Sequence, residues 1–373
     1  MAASPLPDDH GGHAAAFDHA FWFDVVPRSV ACPGLPPQVL LHAGPPYRGS
    51  PPAAVLNAAV QAVLYEGLAA DEAVARAMIA SGDVRLAPAQ DHGVATPLAQ
   101  VVSASMPLLA VRQNGETFHA PVVEGPAPAL RFGCADARCR DALSVFGAWV
   151  IDTVAPLVRR QPVDIAGVIR AALAEGDECH ARTGAANEAL LAQIDGLGAE
   201  NLGRLGTNPA FVLTLIMAGA GVALRSRRSG IAAVGGNGIE FGVRYHGETQ
   251  WRQTAAEAPC GTRFPAHGDT AALPAIGDSA VIDFCGLGGQ ALDRAPLLAA
   301  EWAHLLPEDA RIRRTALLDP ASGMVDPARV VQSRIAPLVN LAILDSAGTA
   351  GLIGRGFYAA PASLFDPLPG RGN

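Results

Sequence analysis

The chain has 373 residues, of which 50% are hydrophobic and 17% are charged, so it can bury a large core and divide into two or three domains. The formal net charge is -8 and the arginines are scattered, which excludes the basic stripe that binds phosphate backbones. We therefore expect no nucleic-acid partner.

The chain contains no lysine, because all 27 basic residues are arginine. This composition excludes a Schiff-base lysine, a lysine-bound pyridoxal cofactor and the lysine of a phosphate loop. An anionic ligand must then be bound by arginine, by backbone N–H groups or by a metal. A GC-rich genome that replaced surface lysines with arginine would give the same composition.

The sequence favours a cytoplasmic protein that neither crosses nor binds a membrane. The longest apolar run, 211–224, is shorter than the roughly 20 residues that span a bilayer. The acidic N-terminus does not resemble a secretory signal, and we expect residues 1–30 to form a disordered or extended tail. The cysteines have no framework spacing, which favours reduced thiols: Cys32, Cys134, Cys139, Cys179, Cys260 and Cys285.

Residues 31–140 are predicted to form an N-terminal α/β domain, because short apolar runs alternate with segments of helical periodicity. Asp71 is the expected N-cap of one of these helices, and Gly82 follows its end. The predicted strands are 38–41, 84–86, 108–112 and 118–123, and the predicted helices are 53–68 and 71–80.

Residues 141–200 are predicted to form a small helical domain, with an amphipathic stripe from Val145 to Leu157. Residues 201–373 are predicted to form a C-terminal α+β domain with a glycine-rich end. Its predicted helices are 208–225 and 327–338, and its predicted strands are 231–234, 241–245 and 279–284. The fold class is therefore α+β, with two mixed domains flanking a helical one.

Three glycine clusters with polar neighbours indicate a binding site in the C-terminal region. Glycine allows positive φ and close approach of the backbone to a ligand, at a cost in folding entropy. Tight turns between strands are the alternative explanation for any one cluster. The clusters are 235–242 (GGNGIEFG), 277–280 (GDSA) and 285–289 (CGLGG).

The most polar segment of the helical region is 176–180 (GDECH). Asp177 and His180 are three residues apart, so Asp177 can orient His180 as a general base, with Glu178 beside them. The alternative is a helix cap with solvated ion pairs. No CxxC or HExxH occurs, and we expect no metal and no cofactor.

Other candidates lie in loops. His42 and His92 follow predicted strands in glycine- and proline-rich segments, where catalytic side chains are often carried. Glu124 and Arg131 can place a carboxylate and a guanidinium beside a glycine turn, for a planar polar ligand or for a simple ion pair. The chain has neither the GxSxG of serine hydrolases nor a properly spaced GxGxxG for a dinucleotide.

An ordered series of motifs from about residue 39 to 365 resembles the YlbE-like (AllG-like) family. The motifs are 42–46 (HAGPP), 65–69 (YEGLA), 103–107 (SASMP), 130–133 (LRFG), 176–180 (GDECH), 208–211 (NPAF), 237–242 (NGIEFG), 277–280 (GDSA), 286–289 (GLGG) and 351–356 (GLIGRG). The chain departs from the family pattern at 88–92, 123–127 and 180–183, and is therefore expected to be a divergent member.

The resemblance implies a subunit of an oxamate carbamoyltransferase-like enzyme of allantoin or nitrogen metabolism, which works in an oligomer with FdrA-like partner subunits. The implied substrates are carbamoyl phosphate and oxamate or a similar small amide. The alternatives are a noncatalytic ligand-binding or scaffolding subunit of a partner enzyme, and an amidohydrolase.

Transfer of a carbamoyl group needs donors for an oxyanion, cations for phosphate and carboxylate, and a group that moves a proton. We expect the candidate residues to meet in a single wet cavity. The catalytic candidates are His42, His92, Asp177, Glu178 and His180. The substrate-binding candidates are Glu124, Arg131, Asn208, Asn237, Glu240, Arg244, Asp278, Ser279 and Arg355.

Overall fold

The computed structural model describes residues 14–367. The strands are β1 (Phe21–Pro27), β2 (Val39–His42), β3 (Arg85–Pro88), β4 (Pro107–Gln113), β5 (Glu116–Pro121), β6 (Val163–Asp164), β7 (Ile231–Asn237), β8 (Glu240–Tyr245), β9 (Arg252–Ala255), β10 (Cys260–Arg263), β11 (Ile276–Gly277), β12 (Leu338–Leu344) and β13 (Leu352–Ala359).

The described residues also form thirteen α-helices. They are α1 (Arg28–Ala31), α2 (Ala53–Tyr65), α3 (Glu72–Ser81), α4 (Ala137–Trp149), α5 (Ala155–Arg160), α6 (Ile165–Ala174), α7 (Gly184–Leu191), α8 (Ala199–Gly206), α9 (Pro209–Ser226), α10 (Ala280–Phe284), α11 (Pro296–Glu301), α12 (Arg313–Leu317) and α13 (Pro327–Ser333). A π-helical turn, Val150–Val154, joins α4 to α5, and two of the 3-10 turns carry candidate site residues: Ala89–His92 and Leu130–Phe132.

The described strands form four sheets, with the orders β5-β4-β1-β6, β11-β7-β8-β9, β10-β13-β12 and β2-β3. The β2-β3 pair is parallel, and the other pairs are antiparallel. This mixture of helices and sheets confirms the predicted combination of α and β structure. The division into two mixed domains around a helical one remains a prediction.

The predicted tail was wrong for residues 21–27, which form β1 inside the first sheet. This strand pairs with β4 on one side and with β6 on the other, and Trp22 is fully buried. Trp22 and Val25 are the buried side chains of the FWFDVV run, on either side of a register shift between Trp22 and Asp24. Burial of these two apolar side chains fixes the strand in the core. Residues 1–13 of the predicted tail lie outside the described residues.

Helix α9 is the central helix of the core. It packs against β4 and β5 of the first sheet and against α10 and β7 further along the chain. By length and composition alone, two helical runs could span a membrane: Ala137–Arg160 and Pro209–Ser226. Of the second run, 72% is buried inside the fold. Such burial is equally typical of a core helix in a soluble protein, so these runs are weak evidence for a membrane.

Several local predictions are confirmed where capping chemistry was readable in the sequence. Helix α3 begins after Asp71, whose side chain accepts a hydrogen bond from the N–H of Val74 at 2.9 Å. It ends at Gly82, which has a left-handed φ of 83°. Strand β2 and helix α2 also lie where the hydrophobic pattern placed them.

Other local predictions were wrong because tertiary packing overrides short apolar runs. The segment predicted as a strand at 279–284 is the short helix α10. The predicted helix 327–338 ends at Ser333, and the glycine-rich end contains β13, which pairs with the unpredicted strand β12. Val145, placed on the buried stripe, is 65% exposed.

A buried carboxylate, that of Asp278, fastens three loops to the start of α10. It accepts hydrogen bonds from the N–H of Gly44 at 2.8 Å, from Nε2 of Gln90 at 2.5 Å and from the N–H of Thr96 at 2.9 Å. Gly44 has a φ of 74°, and a Cβ there would collide with the backbone of Gly236. Burial raises the pKa of Asp278 to about 7 in spite of these donors. Through these hydrogen bonds, Asp278 has a structural role and holds distant segments together.

The substitution Asp278→Asn is expected to lower the free energy of unfolding by about 1–3 kcal/mol, because an amide NH₂ would face a buried N–H donor that loses its acceptor. The exposed Asp269 provides the matched control, Asp269→Asn. Urea denaturation followed by circular dichroism checks this prediction. Equal midpoints for the two variants would contradict it.

Candidate functional site

A cavity of about 610 Å³ lies where β10, β12 and β13 approach the beginning of α9. The loop 97–98, the turn at 131–132 and residues 180–181 close its other sides. Four of the predicted site residues line it: Arg131, His180, Ser279 and Arg355. Arg263 and Glu301 also line it, although neither was predicted from the sequence.

Arg355 enters the cavity from the middle strand of a three-stranded sheet. Its cross-strand partners are Thr262 on β10 and Ala342 on β12. These small neighbours leave room on the sheet for a long guanidinium side chain. Its Nη2 donates to both carboxylate oxygens of Glu301, at 2.9 and 3.1 Å, and Glu301 lies 3.7 Å from Nη2 of Arg182. Glu301 is therefore held between two cations.

Arg131 is the most deeply buried arginine of the cavity, with 7% of its surface exposed. Its guanidinium carbon lies 4.3 Å from the centre of the Phe132 ring, and its Nη2 donates to the carbonyl of Gly125. Its Nη1 is buried and has no hydrogen-bond partner among residues 14–367. Burial lowers the pKa of Arg131, partly offset by the nearby Glu124, but a guanidinium stays charged in a protein. An incompletely satisfied buried cation indicates an anion-binding position.

Glu124 and Asn208 line a smaller hollow of about 320 Å³. Glu124 accepts from the N–H of Leu130 at 2.5 Å, and Asn208 donates to the carbonyl of Val123 at 2.8 Å. Within the described part of the chain, Oε2 of Glu124 and Oδ1 of Asn208 have no partner. Burial raises the pKa of Glu124 against the effect of Arg131. Neither side chain lines the large cavity.

His180 is oriented by Asp283, so the expectation that Asp177 orients it was wrong. The His180 Nδ1 lies 2.8 Å from Oδ2 of Asp283, a residue 103 positions away that is fully buried. Burial alone would lower the pKa of His180, but the carboxylates of Asp283 and Glu178 outweigh it and raise the pKa above its usual value. With Nδ1 turned to Asp283, Nε2 is the ring nitrogen left for a ligand.

Asp283 is itself fixed by the glycine turn that follows it. Its Oδ1 accepts from the N–H of Gly289 at 2.7 Å and from the N–H of Asn340 at 3.0 Å. Gly288 has a φ of 51°, and a Cβ there would collide with Asp283 and approach His180 within 3.2 Å. The 285–289 cluster therefore serves the site indirectly, by allowing Asp283 and His180 to meet.

Asp177 and Glu178 hold the chain around His180 in shape. Asp177 accepts from the N–H of Cys179 at 2.8 Å and from the N–H of Ala186 at 3.1 Å. Glu178 is fully buried and accepts from the N–H of Ala181, from the N–H of Arg182 at 3.0 Å and from Nδ2 of Asn340 at 2.9 Å. Asp177 and Glu178 thus bind backbone N–H groups, as in the alternative prediction of a helix cap. Their partners are buried, whereas that prediction had solvated ion pairs.

His42, Asn237 and Asp278 do not line the large cavity, so the single cavity expected for all candidates was wrong. The ring of His42 stacks on Tyr47 with centres 4.5 Å apart, and Tyr47 donates to the carbonyl of Asn237 at 2.7 Å. Burial lowers the pKa of His42 to about 4, so it is neutral at physiological pH. Asn237 accepts from the N–H groups of Ile239 and Glu240, which closes the β7-β8 hairpin.

His92, Glu240 and Arg244 also lie away from the cavity lining. Glu240 accepts from Nε2 of Gln253 at 2.7 Å, and Arg244 lies 3.2 Å from Oδ1 of Asp91. His92 is half-buried at the end of a 3-10 turn, where its backbone carbonyl lies 3.4 Å from Sγ of Cys32. These three residues lie in local surface networks.

A second hollow of similar volume, about 600 Å³, is a more open groove next to β9. Its arginines, Arg48 and Arg252, are paired with Glu240 and Glu248 respectively, the latter at 2.7 Å. In contrast, the cavity at His180 contains a cation with an unsatisfied buried nitrogen. We therefore take the His180 cavity as the candidate site. Residues 14–367 contain no cluster of three or more His, Cys, Asp or Glu side chains able to hold a metal.

The family model described as "Oxamate carbamoyltransferase subunit AllG" matches residues 84–279. The oxamate carbamoyltransferase subunit AllG of Escherichia coli K12 is 31% identical over 389 residues, with 92% of each chain covered. The chain belongs to the AllG family. The expected resemblance is thus confirmed. Positions 131 and 180 lie within the matched range.

Two further comparisons agree with this assignment. The uncharacterized protein YahG of Escherichia coli K12 is 28% identical over 374 residues, covering 90% of this chain and 78% of the relative. A crystal structure of a conserved protein of unknown function from Enterococcus faecalis V583 has a TM-score of 0.82 at 24% identity, covering 95% of this AllG-family chain and 94% of that one. The second comparison shows a common fold.

In this AllG-family chain, Asp283→Asn is expected to lower the pKa of His180, because the imidazolium loses its paired carboxylate. Asp177→Asn is the matched control, since Asp177 contacts backbone N–H groups rather than the ring. Titration of the His180 ring by NMR measures both. A drop in the Asp177→Asn variant with none in Asp283→Asn would contradict the assignment.

Proposed function

We propose that the chain is a subunit of a carbamoyltransferase-like enzyme and that the His180 cavity binds a small polar acid together with carbamoyl phosphate. Membership of the AllG family supports a related role, and the relative from Escherichia coli is named as an oxamate carbamoyltransferase subunit. The observation that carries the proposal is the set of cations in one cavity, in which the buried Nη1 of Arg131 has no partner among the described residues.

The positions of the cations suggest which arginines bind each of the two anionic substrates. Arg131 would bind the carboxylate of the acid, because its Nη1 is free for a charge-assisted hydrogen bond. Arg263 also has a buried Nη1 without a partner in the described chain, and with Arg355 it would bind the phosphate. Glu301 holds Arg355 in place through two hydrogen bonds.

The transfer itself needs a proton acceptor next to the attacking nitrogen. The nitrogen of the acid attacks the carbamoyl carbon, a C–N bond forms, and the C–O bond to phosphate breaks, so that inorganic phosphate leaves. His180 Nε2 accepts the proton that the nitrogen loses, and the Asp283 carboxylate stabilises the resulting imidazolium. The hydroxyl of Ser279 and the guanidinium groups would stabilise the oxyanion of the tetrahedral intermediate.

FdrA-like subunits are the protein partners of this proposal, within a cytoplasmic oligomer. The curated relative is itself named as a subunit. Phe264 at the cavity is 39% exposed, which leaves an apolar ring where a partner can cover the site. A shared site would make turnover depend on both chains.

The proposal is tested by mixing carbamoyl phosphate and oxamate with the chain alone and with an FdrA-like partner, and by following phosphate release and the carbamoylated acid. We expect turnover in the mixture and its loss in His180→Gln. Arg131→Gln should weaken oxamate binding by about 1.5–3 kcal/mol, the usual value of a hydrogen bond to a charged group. The control is Arg228→Gln, an exposed residue beyond the far end of α9, roughly 20 Å from the cavity.

Three outcomes would contradict the proposal in different ways. Full turnover in the His180→Gln mixture would make this chain a noncatalytic subunit. Ammonia release without any requirement for phosphate would indicate an amidohydrolase. Unchanged oxamate affinity in Arg131→Gln would remove Arg131 from the site.

A further inference from the structure

The candidate cavity is larger than its smallest substrates require. Oxamate and carbamoyl phosphate together have about 14 heavy atoms. If each heavy atom occupies about 30 Å³, the volume of a water molecule in the liquid, the two substrates occupy roughly 420 Å³. The cavity measures about 610 Å³. The remaining space corresponds to roughly six heavy atoms on the same scale.

The cavity has apolar walls as well as cations. On one side, α9 presents Leu213, in the same row of the helix as Ala210. On the other side, the sheet presents Leu341 and Leu352, and Phe132 adjoins them. Water held between such walls gains few hydrogen bonds, whereas an apolar group gains about 25 cal/mol for each Å² removed from water. The walls therefore favour a ligand with an apolar part.

The cations define the other end of the same ligand. Arg131 lies against the ring of Phe132, so the anion-binding nitrogen and an apolar wall are adjacent. A ligand that satisfies both has a carboxylate and, a few bonds away, an apolar group. The remaining volume leaves room for a side group of several heavy atoms.

We propose that the carbamoyl acceptor of this chain is an α-amino acid with an apolar side group, and that this group lies between α9 and the strands β12 and β13. The inference rests on the proposed function, since it assigns the substrate class of the same site. The nitrogen next to the carboxylate attacks the carbamoyl carbon of carbamoyl phosphate, phosphate leaves, His180 takes the proton, and the product is an N-carbamoyl acid with the apolar side group.

The test compares N-carbamoylglycine, N-carbamoylvaline, N-carbamoylleucine and N-carbamoylphenylalanine as ligands of the full chain, alone and with an FdrA-like partner, by isothermal titration calorimetry. Each buried methylene is expected to tighten binding about fourfold. N-carbamoylleucine should then bind at least about 30-fold more tightly than N-carbamoylglycine, allowing for incomplete burial.

Two leucine variants show where the side group binds. Leu213→Ser should remove most of the gain for the leucine ligand and leave the glycine ligand unchanged, because only the apolar wall is altered. Leu297→Ser is the control, since Leu297 is 67% exposed and outside the cavity lining. A gain that persists in Leu213→Ser would overturn the proposed position of the side group.

The two proposals fail in distinguishable ways. If N-carbamoylglycine binds as tightly as N-carbamoylleucine, and Arg131→Gln weakens the binding of both, the proposed substrate class would be overturned and the carbamoyl transfer would stand. Absence of binding by every N-carbamoyl acid and by carbamoyl phosphate, with no phosphate release from the mixture, would overturn the proposed function as well.

Discussion

The candidate site depends on a single buried carboxylate, that of Asp283. It connects the segment that carries His180, the glycine turn after α10 and the beginning of β12, because each contributes one hydrogen-bond donor to it. An unpaired carboxylate in that position would be strongly unfavourable. The three segments are therefore held together by the same group that keeps His180 in its orientation and charge state.

The second constraint is the use of arginine alone for positive charge. A lysine in a position as buried as that of Arg131 readily loses its proton, whereas a guanidinium keeps its charge. Arg131 and Arg355 also have planar side chains with several donors, and each already uses some of them to fix its own position. The cavity thus presents cations that are placed by the protein before a ligand arrives.

Much of the local structure was readable from the sequence, and the long-range structure was not. Asp71 and Gly82 determine the ends of α3 through neighbouring backbone groups, so their roles follow from the sequence nearby. Asp283 and His180 are 103 residues apart, and nothing between them indicates that they meet. The one available signal was an acid inside the apolar run VIDFC, which is costly unless the acid has partners. The glycine clusters were interpreted as a binding site, but the 235–242 cluster closes a hairpin, which is the turn alternative. Of the three clusters, only Ser279 lines the large cavity.

The most direct test of the site is a crystal structure of the chain with oxamate and phosphate. We expect an anion within hydrogen-bonding distance of Arg131 Nη1, with a second ligand atom near His180 Nε2. An anion bound only in the open groove at Arg48 and Arg252, with the His180 cavity containing solvent alone, would contradict it.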